Sequence, residues 1–170
     1  MVFCKKNWKS IIVLSIYILG LSFGVLIGFA NNSKMSINPQ NLGAVTIIFH
    51  NLGVIGIMFL GILSFGVVTL ITILFNGSML GTVVGSFWGT SDFLNIILTL
   101  IPYGILEIPA FIIAAIGDLC IIYSMKKIIW NKDKKIAFYS LKKGLKLNVI
   151  GVIMVVIAGI IEAKIPFISI

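Results

Sequence analysis

The chain has 170 residues, of which 59% are hydrophobic and only 11% charged, whereas a soluble domain carries about 25% charged residues. With a mean hydropathy of +1.17, this balance excludes a water-soluble globular domain, and several apolar runs reach the roughly 20 helical residues that a bilayer span needs. The formal charge of +8 comes from 13 basic residues that are all Lys, which is first a topology signal, because cytoplasmic loops collect positive residues. The expected class is all-α: one transmembrane domain over residues 1–170, a polytopic helix bundle without a separate soluble domain.

The N-terminus, MVFCKKNWKS, is basic and leads into a first span over about 11–30. That run exceeds the roughly 7–15 apolar residues of a signal-peptide core, so an uncleaved span is expected. Residues 31–43 (NNSKMSINPQNLG) form a polar loop containing the sequon Asn31-Asn32-Ser33. The apolar stretch 44–75 would be about 48 Å long as one helix, too long for a roughly 30 Å hydrocarbon core. The interruption His50-Asn51-Leu52-Gly53 is the expected break, leaving a short re-entrant or interfacial helix near 44–52 and a second span over 53–75. Residues 77–101 are apolar but cut at Gly89-Thr90-Ser91-Asp92, a broken third segment. A fourth span covers 103–124, a basic loop with eight lysines covers 125–146, and a last span covers 147–163.

Parity follows from the lysines. If the N-terminal lysines and the 125–146 loop share the cytoplasmic face, 77–101 must cross once, giving about five crossings of a cell membrane with the N-terminus inside and the C-terminus outside. The basic loop also carries Ala137, Leu141 and Leu145 at spacings of four, with Phe138 and Trp130 nearby. That pattern fits either a plain positive-inside loop or a helix lying on anionic lipid headgroups. Cys4 and Cys120 are expected to be free thiols.

Glycine recurs at every fourth residue in two places, Gly20, Gly24 and Gly28, then Gly77, Gly81, Gly85 and Gly89. In lipid, helices associate through close backbone approach rather than a hydrophobic drive, and small residues permit it. The ladders predict helix packing inside the chain, or a homodimer through the first span.

The acids carry the functional candidates. Glu107 lies in IPYGILEIPAFIIAAIGD between Pro102 and Pro109, and an ionised group at mid-bilayer costs about 2.5–3.5 kcal/mol unless protein or water receives it. Pro109 lacks an amide proton and frees the carbonyl of Ile105, so a polar pocket is expected around Glu107. Asp118, eleven residues on, falls about 20° away in azimuth on a continuous helix. It reads as either a relay partner for Glu107 or an acid solvated or paired near the lysines. Glu162 reads as an anchor at the outer end of the last span. The chain has one histidine, His50, so a multi-histidine metal site is excluded. Neither a nucleotide fingerprint nor a serine-hydrolase elbow is present. No enzymatic activity, cofactor or nucleic-acid partner is expected.

With these residues in view, the chain resembles the stage II sporulation protein M family of integral membrane proteins over about 41–166. The landmarks are IIFHNL with Asn51, NGSMLG with Asn76, Gly77 and Gly81, IPYGILEIPA with Pro102, Gly104, Glu107 and Ala110, and AGIIEAKIP with Glu162 and Pro166. The family commonly has histidine where this chain has Tyr103, which removes any histidine chemistry at that place. The resemblance implies a non-enzymatic multipass scaffold that assembles membrane or envelope partners, and in that case Asn51, Asn76, Glu107 and the glycine ladders are expected to be internal clamps between helices, with Glu107 hydrogen-bonded to another helix. The alternative from the residues themselves is a small channel or transporter in which Glu107 and Asp118 line a polar path. A cavity reaching Glu107 would favour the second, and a dry, hydrogen-bonded Glu107 the first.

Overall fold

A computed structural model describes residues 7–31, 43–91, 93–130 and 133–164. These form five α-helices: α1 (Trp8–Asn31), α2 (Ala44–Leu60), α3 (Val67–Ser86), α4 (Phe93–Ile129) and α5 (Lys134–Glu162). Asn32 and Ser33 of the sequon, Cys4, Asp92, Lys132, Pro166 and the side chain of Tyr103 lie outside the described residues. Trp8–Ala30, Val67–Ser86, Gly104–Ile129 and Lys134–Glu162 are long and apolar enough to cross a membrane, whereas Ala44–Leu60 and Phe93–Pro102 are apolar but shorter. The all-helical membrane bundle expected from composition is therefore the architecture observed.

The glycine ladders fix the first pairing. A Cβ on Gly20, Gly24 or Gly28 would meet the carbonyl oxygens of Leu74, Ser78 or Thr82, and one on Gly77, Gly81 or Gly85 would meet those of Tyr17, Leu21 or Val25. Both series ascend together, so α1 and α3 run parallel, backbone against backbone. Gly89 is not part of the ladder: it sits in the α3–α4 turn at φ +79°, and a Cβ there would meet nothing within 4 Å. The α4–α5 pair is antiparallel, with Gly117 against Gly144 and Gly151 against Ala110. Ser124 Oγ donates to the Ala137 carbonyl at 2.6 Å between the same helices.

Because α1 and α3 are parallel, α2 must bring the chain back between them. It is 17 residues long, about 25 Å at 1.5 Å per residue. The chain thus traverses the bundle five times, and α1 begins at the opposite end from that at which α5 finishes. Lys9, Lys126, Lys127, Lys134 and Lys135 mark one end of the bundle, the lysine end; the opposite one is the far end. At the lysine end Lys9 Nζ lies 4.3 Å from the centre of the Tyr123 ring.

Four expected boundaries are corrected. The break at His50-Gly53 does not exist, because α2 runs through it to Leu60. One glycine costs a helix about 1 kcal/mol, less than exposing unpaired backbone groups in lipid. The chain turns instead at 61–66, where Phe65 (φ 53°) and Gly66 (φ 98°) are left-handed and the Gly66 amide donates to the Gly61 carbonyl at 2.8 Å. Likewise α3 passes unbroken through Phe75-Asn76-Gly77. The segment 77–101 is no single broken span: its halves belong to α3 and α4, on either side of the turn at 87–91. Pro102 does not end a span either, since α4 continues for 37 residues with both prolines inside it. Membrane helices tolerate such prolines because neighbours satisfy the freed groups.

The basic loop is mostly helix. Asp133 caps α5, its Oδ1 accepting from the Ile136 amide at 3.1 Å. The stripe Ala137, Leu141, Leu145 is not a lipid-facing face. Ala137 packs inward with Ser140, Gly144, Asn148, Gly151 and Val155, while Leu145 is exposed.

Candidate functional site

Between the diverging far-end halves of α2, α3 and α4 lies a cavity of about 1020 Å³. Its polar lining gathers residues far apart in sequence: His50 and Asn51 from α2, Asn76 from α3, Glu107 from α4, Glu162 from α5 and Tyr17 from α1. Aliphatic side chains and Phe111 make up much of the remaining wall. Five of the sequence-predicted residues thus meet in one place.

Helix geometry explains the gathering. The α1–α3 glycine contact holds these two helices tightly together, and α4 and α5 form a second tight pair. The contacts of α2 with the two pairs are sparser than those inside each pair, and the cavity lies where α2, α3 and α4 face one another. Ile105 and Pro109 both line it, which puts the carbonyl that Pro109 leaves without a helical donor next to Glu107.

Glu107 makes no hydrogen bond or ion pair with the described residues. It lies within electrostatic reach of Glu162 and Tyr17, and Glu162 within reach of His50. Asn51 is 5% exposed, faces the cavity, and its amide bonds to none of the described residues. Asn76 is partly satisfied within its own helix, donating to the Thr72 carbonyl at 3.0 Å. The Glu162 expectation is widened: this residue closes α5 and also faces the cavity.

Asp118 is not part of this site, which corrects both expectations for it. It is fully buried, neither solvated nor paired with lysine. Its Oδ1 accepts from Asn148 Nδ2 at 3.1 Å and its Oδ2 from Thr69 Oγ1 at 3.4 Å. Thr69 has a single hydroxyl proton, so its 2.8 Å bond to the Met58 carbonyl takes most of it and the contact to Asp118 is the weaker share. Asn148 Nδ2 also approaches the Gly144 carbonyl at 3.3 Å. This knot joins α2, α3, α4 and α5 on the lysine-end side of the cavity, over a core of Met58, Ile73, Ala114, Ala115 and Leu119. Thr69 and Asn148 were not singled out from the sequence. The available signal was a lone Asn inside the apolar run 147–161.

Among the described residues no group of three or more His, Cys, Asp or Glu could hold a metal ion. Cys120 is free and buried.

The family model described as Stage II sporulation protein M matches residues 10–166. The uncharacterized protein MJ0793 of Methanocaldococcus jannaschii is 36% identical over 166 residues, covering 91% of this chain and 92% of that protein. A second protein of the same organism, the uncharacterized MJ0706, is 30% identical over 141 residues, covering 80% of this chain and 62% of that protein. No solved structure matches.

Proposed function

Since the chain belongs to the stage II sporulation protein M family, we propose that it is a small non-enzymatic, multi-pass membrane protein that binds and passes a solute through the cavity at Glu107. The observation that carries this reading is the cavity itself. It reaches an acid that has no protein partner among the described residues, on a helix that carries Pro109 two residues on. An unpaired intramembrane acid is costly enough to need a function.

The hydrogen-bonded knot at Asp118 closes the lysine end. A site open at one end and shut at the other is what one state of an alternating-access cycle requires. By the positive-inside rule the lysine end faces the cytoplasm and the cavity opens outward. Lys142, Lys143 and Lys146, exposed on α5, then lie near the inner leaflet, where each adds about 1 kcal/mol of attraction to anionic headgroups. Proteoliposomes loaded with a pH-sensitive dye test the reading. A pH-dependent flux that Glu107→Gln abolishes supports it; equal flux in the two proteins removes it.

The second reading is a scaffold for membrane or envelope partners. It draws on the family relationship and on the lipid-facing side of α1, where Ile18, Leu19, Phe23 and Leu26 are all exposed. The glycine ladder of α1 is occupied by α3, so a partner or second copy would have to use this other side. Under that reading Glu107→Gln keeps full function.

A further inference from the structure

We infer that the cavity takes a protonated amine carrying a compact apolar body, an inference that rests on the cavity being the working site proposed above. The sign of the charge comes from Glu107 and Glu162, which share the cavity without an ion-pair partner among the described residues. In a low-dielectric site a charge is tolerated when paired, and attraction there exceeds its value in water. A metal ion is the poorer match, because hard divalent cations take about six or more oxygen ligands and the described residues offer no cluster of that kind.

Asn51 supplies the second, independent pointer. The residue is 5% exposed, lines the cavity and bonds to none of the described residues. A polar amide that faces the cavity without a protein partner is free to accept from an occupant. A protonated primary amine carries three N–H donors, enough for both the Asn51 oxygen and the Glu107 carboxylate, and a quaternary ammonium carries none. The body must be apolar because Ile47, Val54, Leu80, Ile105, Ile108 and Phe111 form the wall around these groups. A volume of about 1020 Å³ is at the upper end of the roughly 300–1,000 Å³ usual for small-molecule sites.

The test uses the full chain in phosphatidylcholine nanodiscs and tritiated 1-aminoadamantane as probe. Saturable binding is expected, displaced by octylamine but not by octanol or octanoate, with the N,N,N-trimethyl analogue at least tenfold weaker. Glu107→Gln should weaken binding at least tenfold and Asn51→Leu several-fold, while Leu98→Ala on the exposed side of α4 leaves it unchanged. Adding phosphatidylethanolamine separates the two sources of such a head: competition identifies an aminolipid, and its absence a free amine. Absent saturable binding, or equal displacement by octanol or the trimethyl analogue, overturns the inference, and these arms need no variant to fold. If Glu107→Cys is reached by aqueous thiol reagents but no amine binds, the cavity stands and the ligand class falls. If it is not reached, both fall.

Discussion

Asn148 donates its side-chain amide to the Asp118 carboxylate at 3.1 Å across the α4–α5 interface, while its own amide oxygen finds no partner among the described residues. The pair is a tie between helices placed where the cavity ends, and it carries a cost on one of its two sides. Interhelical hydrogen bonds in membranes average only about 0.6 kcal/mol and reach about 1.7. Stranding a buried acceptor costs about 1–3 kcal/mol, so the second effect should dominate single substitutions. Asn148→Ala is expected to destabilise by about 1–3 kcal/mol in a thermal or denaturant titration in detergent. Combined with Asp118→Ala in a double-mutant cycle, the coupling should fall near 0.6–1.7 kcal/mol.

Glu107 should behave in the opposite sense. With no partner among the described residues, its carboxylate is a cost to the fold, and Glu107→Leu is expected to raise stability by about 2–3 kcal/mol while losing activity. Gain of stability with loss of function marks a residue kept for its role. A fall in melting temperature for Glu107→Leu would identify a structural clamp instead.

The glycines divide into two kinds. A Cβ on Gly81 would strike the backbone of Leu21, whereas one on Gly53 or Gly56 meets nothing within 4 Å. Gly81→Val should therefore force α1 and α3 apart and cost at least about 3 kcal/mol, since overpacking alone costs about 1–3 and the displaced backbone cannot rotate aside. Gly53→Ala should stabilise by about 0.5–1 kcal/mol through helix propensity. Thermal unfolding of the two variants side by side checks the contrast.

At the α2–α3 turn, Phe65 holds φ 53° with its side chain 68% exposed. A bulky residue in the left-handed region costs about 1–2 kcal/mol, and its exposure means little packing is lost on replacement. Phe65→Gly is expected to stabilise by about 1 kcal/mol, measured the same way. Gly66→Ala, at φ 98°, should destabilise by a similar amount.

Composition made the helical membrane class legible, and the four-residue glycine spacing made close packing legible, because both are summed or periodic signals. Partner choice was not legible: nothing in Gly20-Gly24-Gly28 says that its mate is Gly77-Gly81-Gly85 or that the two run parallel. Helix ends were misread at His50-Gly53 and Pro102 because breaker residues act weakly where lipid penalises an open backbone. The residues of the cavity were visible singly, Asn51, Asn76, Glu107 and Glu162 each standing out in an apolar run. Their convergence depends on how α2 sits against the two tight helix pairs, which is a tertiary fact. Asp118 was misplaced for a related reason: its partners Thr69 and Asn148 are 49 and 30 residues away.

The central claim is that the cavity admits water to Glu107 from the far end and is sealed toward the lysine end. Thiol labelling by side tests it most directly. In a Cys4→Ser, Cys120→Ala background reconstituted in sealed vesicles of known orientation, Glu107→Cys should react with a membrane-impermeant charged thiosulfonate added at the far-end face and not at the lysine-end face. Leu98→Cys and Thr69→Cys should stay unmodified from both. A Glu107→Cys protein that is silent from both faces, or that reacts from the lysine end, would contradict the account.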